Sequence, residues 1–61
     1  MHNLSLVGII WKREPVAIIR DKTSGQTQYL KTHEFLGDIQ VIGIAKHSAT
    51  LKFKDEEARL E

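Results

Sequence analysis

The sequence predicts an all-β fold, a small six-stranded antiparallel β-sandwich or barrel. Three observations predict it. The apolar runs are short and rich in Val, Ile and aromatic residues, which suits strands rather than helices. Turn formers such as Pro15, Gly25, Gly37-Asp38 and Ser48 punctuate the chain between those runs. In the best-patterned run, Ala49, Leu51 and Phe53 alternate with Thr50, Lys52 and Lys54, the period of a half-buried strand.

The elements follow in order. Met1 to Asn3 is a polar lead, and the first strand runs from Leu4 to Trp11, with Gly8 marking a bend or bulge. Lys12 to Pro15 breaks the apolar run. Pro15 fits a turn or a strand start, where no ladder donor is missed. The second strand is Val16 to Asp21. Lys22-Thr23-Ser24-Gly25 turns the chain into a third strand, Gln26 to Lys31, whose two faces are both weakly apolar, as at an exposed edge. Thr32 to Asp38 is a connector in which Phe35 and Leu36 plug the end of the core. The fourth strand is Ile39 to Ala45, with a bend at Gly43. Lys46 to Ser48 turns into the fifth strand, Ala49 to Lys54. Asp55-Glu56 forms a hairpin tip, and Glu57 to Glu61 is the sixth strand. That last segment also holds good helix formers with Asp55 as a cap, but so short a helix is marginal in water. No internal repeat is visible. The expected core is Leu6, Ile10, Ala17, Ile19, Leu30, Leu36, Val41, Ile44, Leu51, Phe53 and Leu60.

With 61 residues the chain is one domain, residues 1–61. A domain this small buries only about 60% of its unfolded surface, so its stability is marginal. There is no Cys, hence no disulfide and no thiolate metal site. The net charge of +1 gives little nonspecific pull on nucleic acid or anionic lipid. No apolar run approaches the roughly 20 residues that span a bilayer. Met1-His2-Asn3 lacks the basic start of a signal peptide, so a location outside the cytoplasm requires an anchor or signal beyond this chain.

Catalytic patterns are absent. His2, His33 and His47 are scattered, without metal-ligand spacing, and His33 and Glu34 point to opposite faces of extended backbone. The four Gly form no phosphate loop, and Ser5, Ser24 and Ser48 lie in no nucleophile motif. The reading is therefore a non-enzyme without cofactor or metal. Two binding readings remain. In one, Val7, Ile9 and Trp11 form an apolar face of the first strand, opposite Leu6, Gly8 and Ile10, and dock a protein with Arg13 at the rim. The fourth strand or the Phe35-Leu36 connector is the alternative cover for that face. In the other reading, a small β-barrel binds RNA or single-stranded DNA through Trp11-Lys12-Arg13 and Tyr29-Leu30-Lys31. That reading requires exposed aromatics, whereas Trp11 and Tyr29 are expected to pack with only their polar ends at the rim.

The order of motifs carries a resemblance. Leu6-Val7-Gly8-Ile9-Ile10 leads through a polar turn to Pro15-Val16-Ala17-Ile18-Ile19, and then to Tyr29-Leu30-Lys31. Gly37-Asp38-Ile39-Gln40-Val41-Ile42-Gly43-Ile44 and Ala49-Thr50-Leu51-Lys52-Phe53 follow. Over almost the whole chain this resembles the homology-region domain of the GspC/PilP family of bacterial type II secretion and type IV pilus assembly systems. His33-Glu34 departs from the Gly-Asp that the family often carries after the third strand. The membrane helix of family members is also missing from the sequence. The resemblance implies a six-stranded β-domain without catalysis, a periplasmic part of an inner-membrane protein. Its implied partner is the N-terminal periplasmic domain of the outer-membrane secretin, with no small-molecule substrate and no nucleic acid.

Overall fold

A computed structural model describes residues 3–61. It is all-β and contains two antiparallel sheets. The first holds β1 (Leu4–Ile10), β2 (Val16–Asp21) and β3 (Thr27–Lys31), in that order. The second holds β4 (Phe35–Leu36), β5 (Ile39–Ile44), β6 (Ala49–Phe53) and β7 (Glu56–Leu60), again in chain order. The six expected strands are present within a residue or so of their expected ends. The seventh, β4, forms inside the Thr32–Asp38 connector, where Phe35 pairs with Gln40 and Leu36 with Ile39. The segment after Lys54 is a strand, not a helix, and its hairpin tip is Lys54-Asp55 rather than Asp55-Glu56, because Phe53 pairs with Glu56.

One buried layer joins the sheets. Ala17, Ile19 and Leu30 come from the first sheet, and Val41, Ala49 and Leu51 from the second. Leu4, Leu6, Leu36, Ile39, Ile44 and Leu60 pack around them, partly buried. Ala17, Ile19, Leu30, Val41 and Leu51 meet the sequence expectation as fully buried core. Ile10 and Phe53 do not. Ile10 turns outward and is 41% exposed. Phe53 lies at the end of its strand and is only partly buried, with the Lys54 ammonium 5.4 Å from its ring centroid. Its inward direction holds nonetheless, since Ala49 and Leu51 on the same face are buried.

A bulge explains the placement of Ile10, and the second sheet repeats it. The β1–β2 register passes from Leu6↔Ile19 to Gly8↔Ile18, so Val7 is an extra residue. The β5–β6 register passes from Val41↔Leu51 to Gly43↔Thr50, so Ile42 is extra there. An extra residue advances the alternation by one, so Ile9 falls opposite the buried Ala17 and Ile10 opposite Val16.

The paired bulges also expose an internal repeat that is not visible in the sequence. Leu4-Ser5-Leu6-Val7-Gly8-Ile9 corresponds to Ile39-Gln40-Val41-Ile42-Gly43-Ile44. Leu6↔Ile19, Gly8↔Ile18 and Ile9↔Ala17 match Val41↔Leu51, Gly43↔Thr50 and Ile44↔Ala49. The third strands continue the match, with Ala17↔Leu30 and Ile18↔Tyr29 against Ala49↔Leu60 and Thr50↔Arg59. Each half is the same three-stranded meander. The halves differ in loop length and outward residues, which hides the repeat from direct comparison.

Local chemistry closes the turns. The Asp21 carboxylate accepts from the Thr23 N–H at 2.8 Å, and the Gly25 N–H donates to the Asp21 carbonyl at 2.7 Å, with Gly25 at φ +76°. Between β3 and β4 the turn places His33 at φ +76°, a left-handed backbone that non-glycine residues seldom take. It is held by the His33 N–H donating to the Val41 carbonyl at 2.6 Å and by the Gln40 side-chain amide donating to the His33 carbonyl at 3.1 Å. The Lys31 N–H donates to the Glu34 carboxylate at 2.8 Å.

Two stability measurements follow. Leu51→Ala is expected to cost about 2–5 kcal/mol in urea unfolding, and more than Phe53→Ala, whose ring is not fully buried; equal costs would place Phe53 in the core. His33→Gly is expected to hold or raise the melting temperature, whereas His33→Val lowers stability by about 1–2 kcal/mol.

Candidate protein-docking surface

The outward face of the three-stranded sheet follows from the register. Its cross-strand rows are Ser5–Arg20–Thr27, Gly8–Ile18–Tyr29 and Ile10–Val16–Lys31, with Val7 added beside Gly8. The middle row is the notable one. Gly8 offers no side chain there, and a Cβ at this position would lie 3.9 Å from the Ile18 Cδ1. Ile18 is thus flanked on one side by backbone and on the other by Tyr29, which is 62% exposed. Val7 is 59% and Trp11 52% exposed. Val16 is buried although it lies on this face and outside the inter-sheet cluster.

The second sheet supplies an internal comparison. Where the first half has Ile18 and Tyr29, the second has Thr50 and Arg59. Its other outward row is Gln40–Lys52–Glu57, beside the exposed Phe35. The same meander therefore carries a polar central row in one half and an apolar one in the other. Folding needs only the inward face, so the apolar outward residues of the first half are not a requirement of the meander itself.

The sequence-predicted site is redistributed by this geometry. Val7 and Trp11 are exposed as expected. Ile9 is not their neighbour on one face, because the bulge turns it to the Ala17 side; it is partly buried. Ile10 and Tyr29 take its place. The connector does not cover this face, since Phe35 and Leu36 pair with β5 in the other sheet. Arg13 lies in the β1–β2 turn and lines a surface depression with Lys12, Glu14 and Lys31. The Lys31 ammonium is 3.4 Å from the Glu14 carboxylate, and both side chains are largely solvated. Such a pair contributes little to stability. The basic residues of the first half are Lys12, Arg13, Arg20, Lys22 and Lys31, against Glu14 and Asp21 alone, so the rim of the apolar face is basic.

Among the described residues no group of three or more His, Cys, Asp or Glu side chains is placed to hold a metal ion; His2 lies outside them. No helix there is long and apolar enough to cross a membrane. In comparison with known proteins, no family model matches the chain, and no curated protein or solved structure matches it significantly.

Opposite effects of the same substitution test the bulge. Val7→Lys should change folding stability by no more than about 0.5 kcal/mol. Ile9→Lys should lower it by about 1–3 kcal/mol. Thermal melts of the two variants decide, and equal losses would mean that Val7 and Ile9 share a face.

Proposed function

We propose that this chain is a non-catalytic protein–protein interaction module of a bacterial secretion or type IV pilus assembly system. It links an inner-membrane component to the N-terminal periplasmic domain of the outer-membrane secretin. The observation that carries the reading is the uncovered apolar face of the first sheet, where Val7, Ile10, Ile18 and Tyr29 stand with Trp11 at the strand end. Contiguous apolar residues with a basic rim are the composition of a protein interface, and Trp, Tyr and Arg are the residues that dominate binding energy in such sites. The resemblance to the GspC/PilP homology region supplies the identity of the partner. The left-handed backbone of His33 supports that resemblance, since it is a conformation that Gly takes freely at the place where the family often has Gly. In this reading the domain is periplasmic and is tethered to the inner membrane by an anchor outside this chain. A small, weak interface gains strength there by repetition in a ring.

A second reading is favoured by one specific observation. Trp11 and Tyr29 are 52% and 62% exposed, where packed rings were expected. Exposed aromatics beside Arg20 and Lys31 are the elements of a stacking platform for single-stranded nucleic acid. Protein docking ranks first because Ile10, Ile18 and Val7 supply apolar area that bases do not need.

Calorimetric titration with a purified secretin N-terminal periplasmic domain tests the first reading. Val7→Lys and Tyr29→Ala should each weaken binding at least about tenfold, or about 1.4 kcal/mol, without moving the melting temperature. Fluorescence of Trp11, the only Trp, tests the second during titration with short oligonucleotides. A saturable change at low salt that vanishes at high salt, with no secretin binding, would replace the first reading by the second.

A further inference from the structure

We infer that the open edge of β1 is a seat for one antiparallel strand of a protein partner, equivalent to the seat that β4 fills on β5. The argument starts from the repeat. β5 is paired on both sides, by β6 and by the segment 33–36. On the β4 side, the Val41 N–H donates to the Glu34 carbonyl at 2.9 Å, and the Val41 carbonyl accepts from the His33 N–H at 2.6 Å. Leu36 pairs there with Ile39 and packs against the core. In the first half, Leu6 stands where Val41 stands, and Leu4 where Ile39 stands. Yet among the described residues β1 pairs with β2 alone.

The backbone direction agrees. The Asn3 carbonyl accepts from the Lys22 N–H at 2.6 Å, on the β2 side. Backbone groups alternate along a strand, so Leu4 and Leu6 direct theirs to the open side. The residue composition agrees as well. End strands are normally blunted by charge, by Pro or by brevity. β7 carries Glu56, Glu57 and Arg59, and β4 has only two residues. β1 spans seven residues, with neither charge nor Pro. Beyond the seat, an open cleft of about 210 Å³ runs along Val7 and Ile9 and is walled by Lys46, His47 and Glu61.

The occupant is therefore an extended, largely uncharged segment with an apolar residue at the place Leu36 holds on β5. Main-chain hydrogen bonds to Leu4 and Leu6 give it affinity, and the neighbouring apolar side chains give it specificity. This specifies how a protein partner attaches, and it rests on the function proposed above only for the partner's identity.

The chain is short enough for total synthesis, which permits two tests. In the first, a copy of residues 32–38 is placed directly ahead of Leu4 in place of residues 1–3. Hydrogen exchange of the Leu4 and Leu6 amides should slow at least about tenfold, with cross-strand NOE contacts to the added segment. A folded product with unchanged exchange at both amides overturns the inference. In the second, the Leu6 amide is replaced by an ester, which removes the N–H and keeps the side chain. Melting should fall only by the small amount that the weaker ester carbonyl of Ser5 costs on the β2 side, while affinity for the secretin N-terminal domain falls at least about tenfold. Undiminished binding overturns the inference, and so does slow exchange of the Leu6 amide in the unaltered, partner-free chain at low concentration, which would show that N–H already paired. If the unaltered chain binds no secretin domain, the proposed partner is wrong and the first test alone decides the seat. Protection of Leu6 that rises with concentration, alongside a dimer in sedimentation, would make the occupant a second copy and overturn the assignment to a different protein.

Discussion

A single apolar layer between two small sheets holds this domain together, and most of its other features follow from how little material that layer contains. Ala17, Ile19 and Leu30 meet Val41, Ala49 and Leu51, and there are no buried polar or charged residues to satisfy among the described ones. With only six buried side chains in the cluster, losing one large member removes a sizeable share of the burial that offsets chain entropy. The layer is built twice from one plan. Ala17 and Ala49 correspond in register, as do Ile19 and Leu51, while the buried Leu30 and Val41 correspond to Leu60 and Leu6, which are only partly buried.

The bulges at Val7 and Ile42 are the means by which that plan works. A strand that stayed regular from Leu4 onward would carry Ile10 to the core and Ile9 to the surface. The added residue reverses this, and Ile9 comes to lie against the Ala17 row. The same reversal places Val7 and Ile10 on the outside beside Ile18 and Tyr29. A device that serves packing in both halves thus builds an apolar central row in only one, because Ile18 and Tyr29 stand there where the other half has Thr50 and Arg59.

The two halves also differ at their first edges. In the second half the chain arrives through His33 and lays β4 along β5 before turning at Gly37, φ +62°. In the first half the corresponding edge of β1 carries no strand among the described residues. An apolar sheet face and an unpaired strand edge therefore occur on the same sheet. A partner that takes the edge is brought up against Val7, the residue where edge and face adjoin, so main-chain pairing and side-chain contact support one another.

Much of this was legible in the sequence, and the reason is local. β-Branched runs, Pro15, Gly25 and Gly37-Asp38 set the strands and turns by short-range sterics and hydrogen bonding, and the Ala49-Leu51 alternation named its own buried face. Ala17, Ile19, Leu30, Val41 and Leu51 could be assigned to the core because a regular ladder preserves period two. Where the ladder breaks, the pattern loses phase. Leu-Val-Gly-Ile-Ile is apolar at every position that has a side chain, so nothing in it says where the extra residue sits, and only pairing with β2 places Ile9 inward and Ile10 outward. The brief β4 was hidden for a similar reason, since two residues carry no periodicity and depend on Ile39 and Gln40 for partners. The chain's length and its local pattern of runs and turns determined that this is a small all-β domain with one thin core. Tertiary pairing decided which apolar residues that core had no room for, and those residues make up the surface available to a partner.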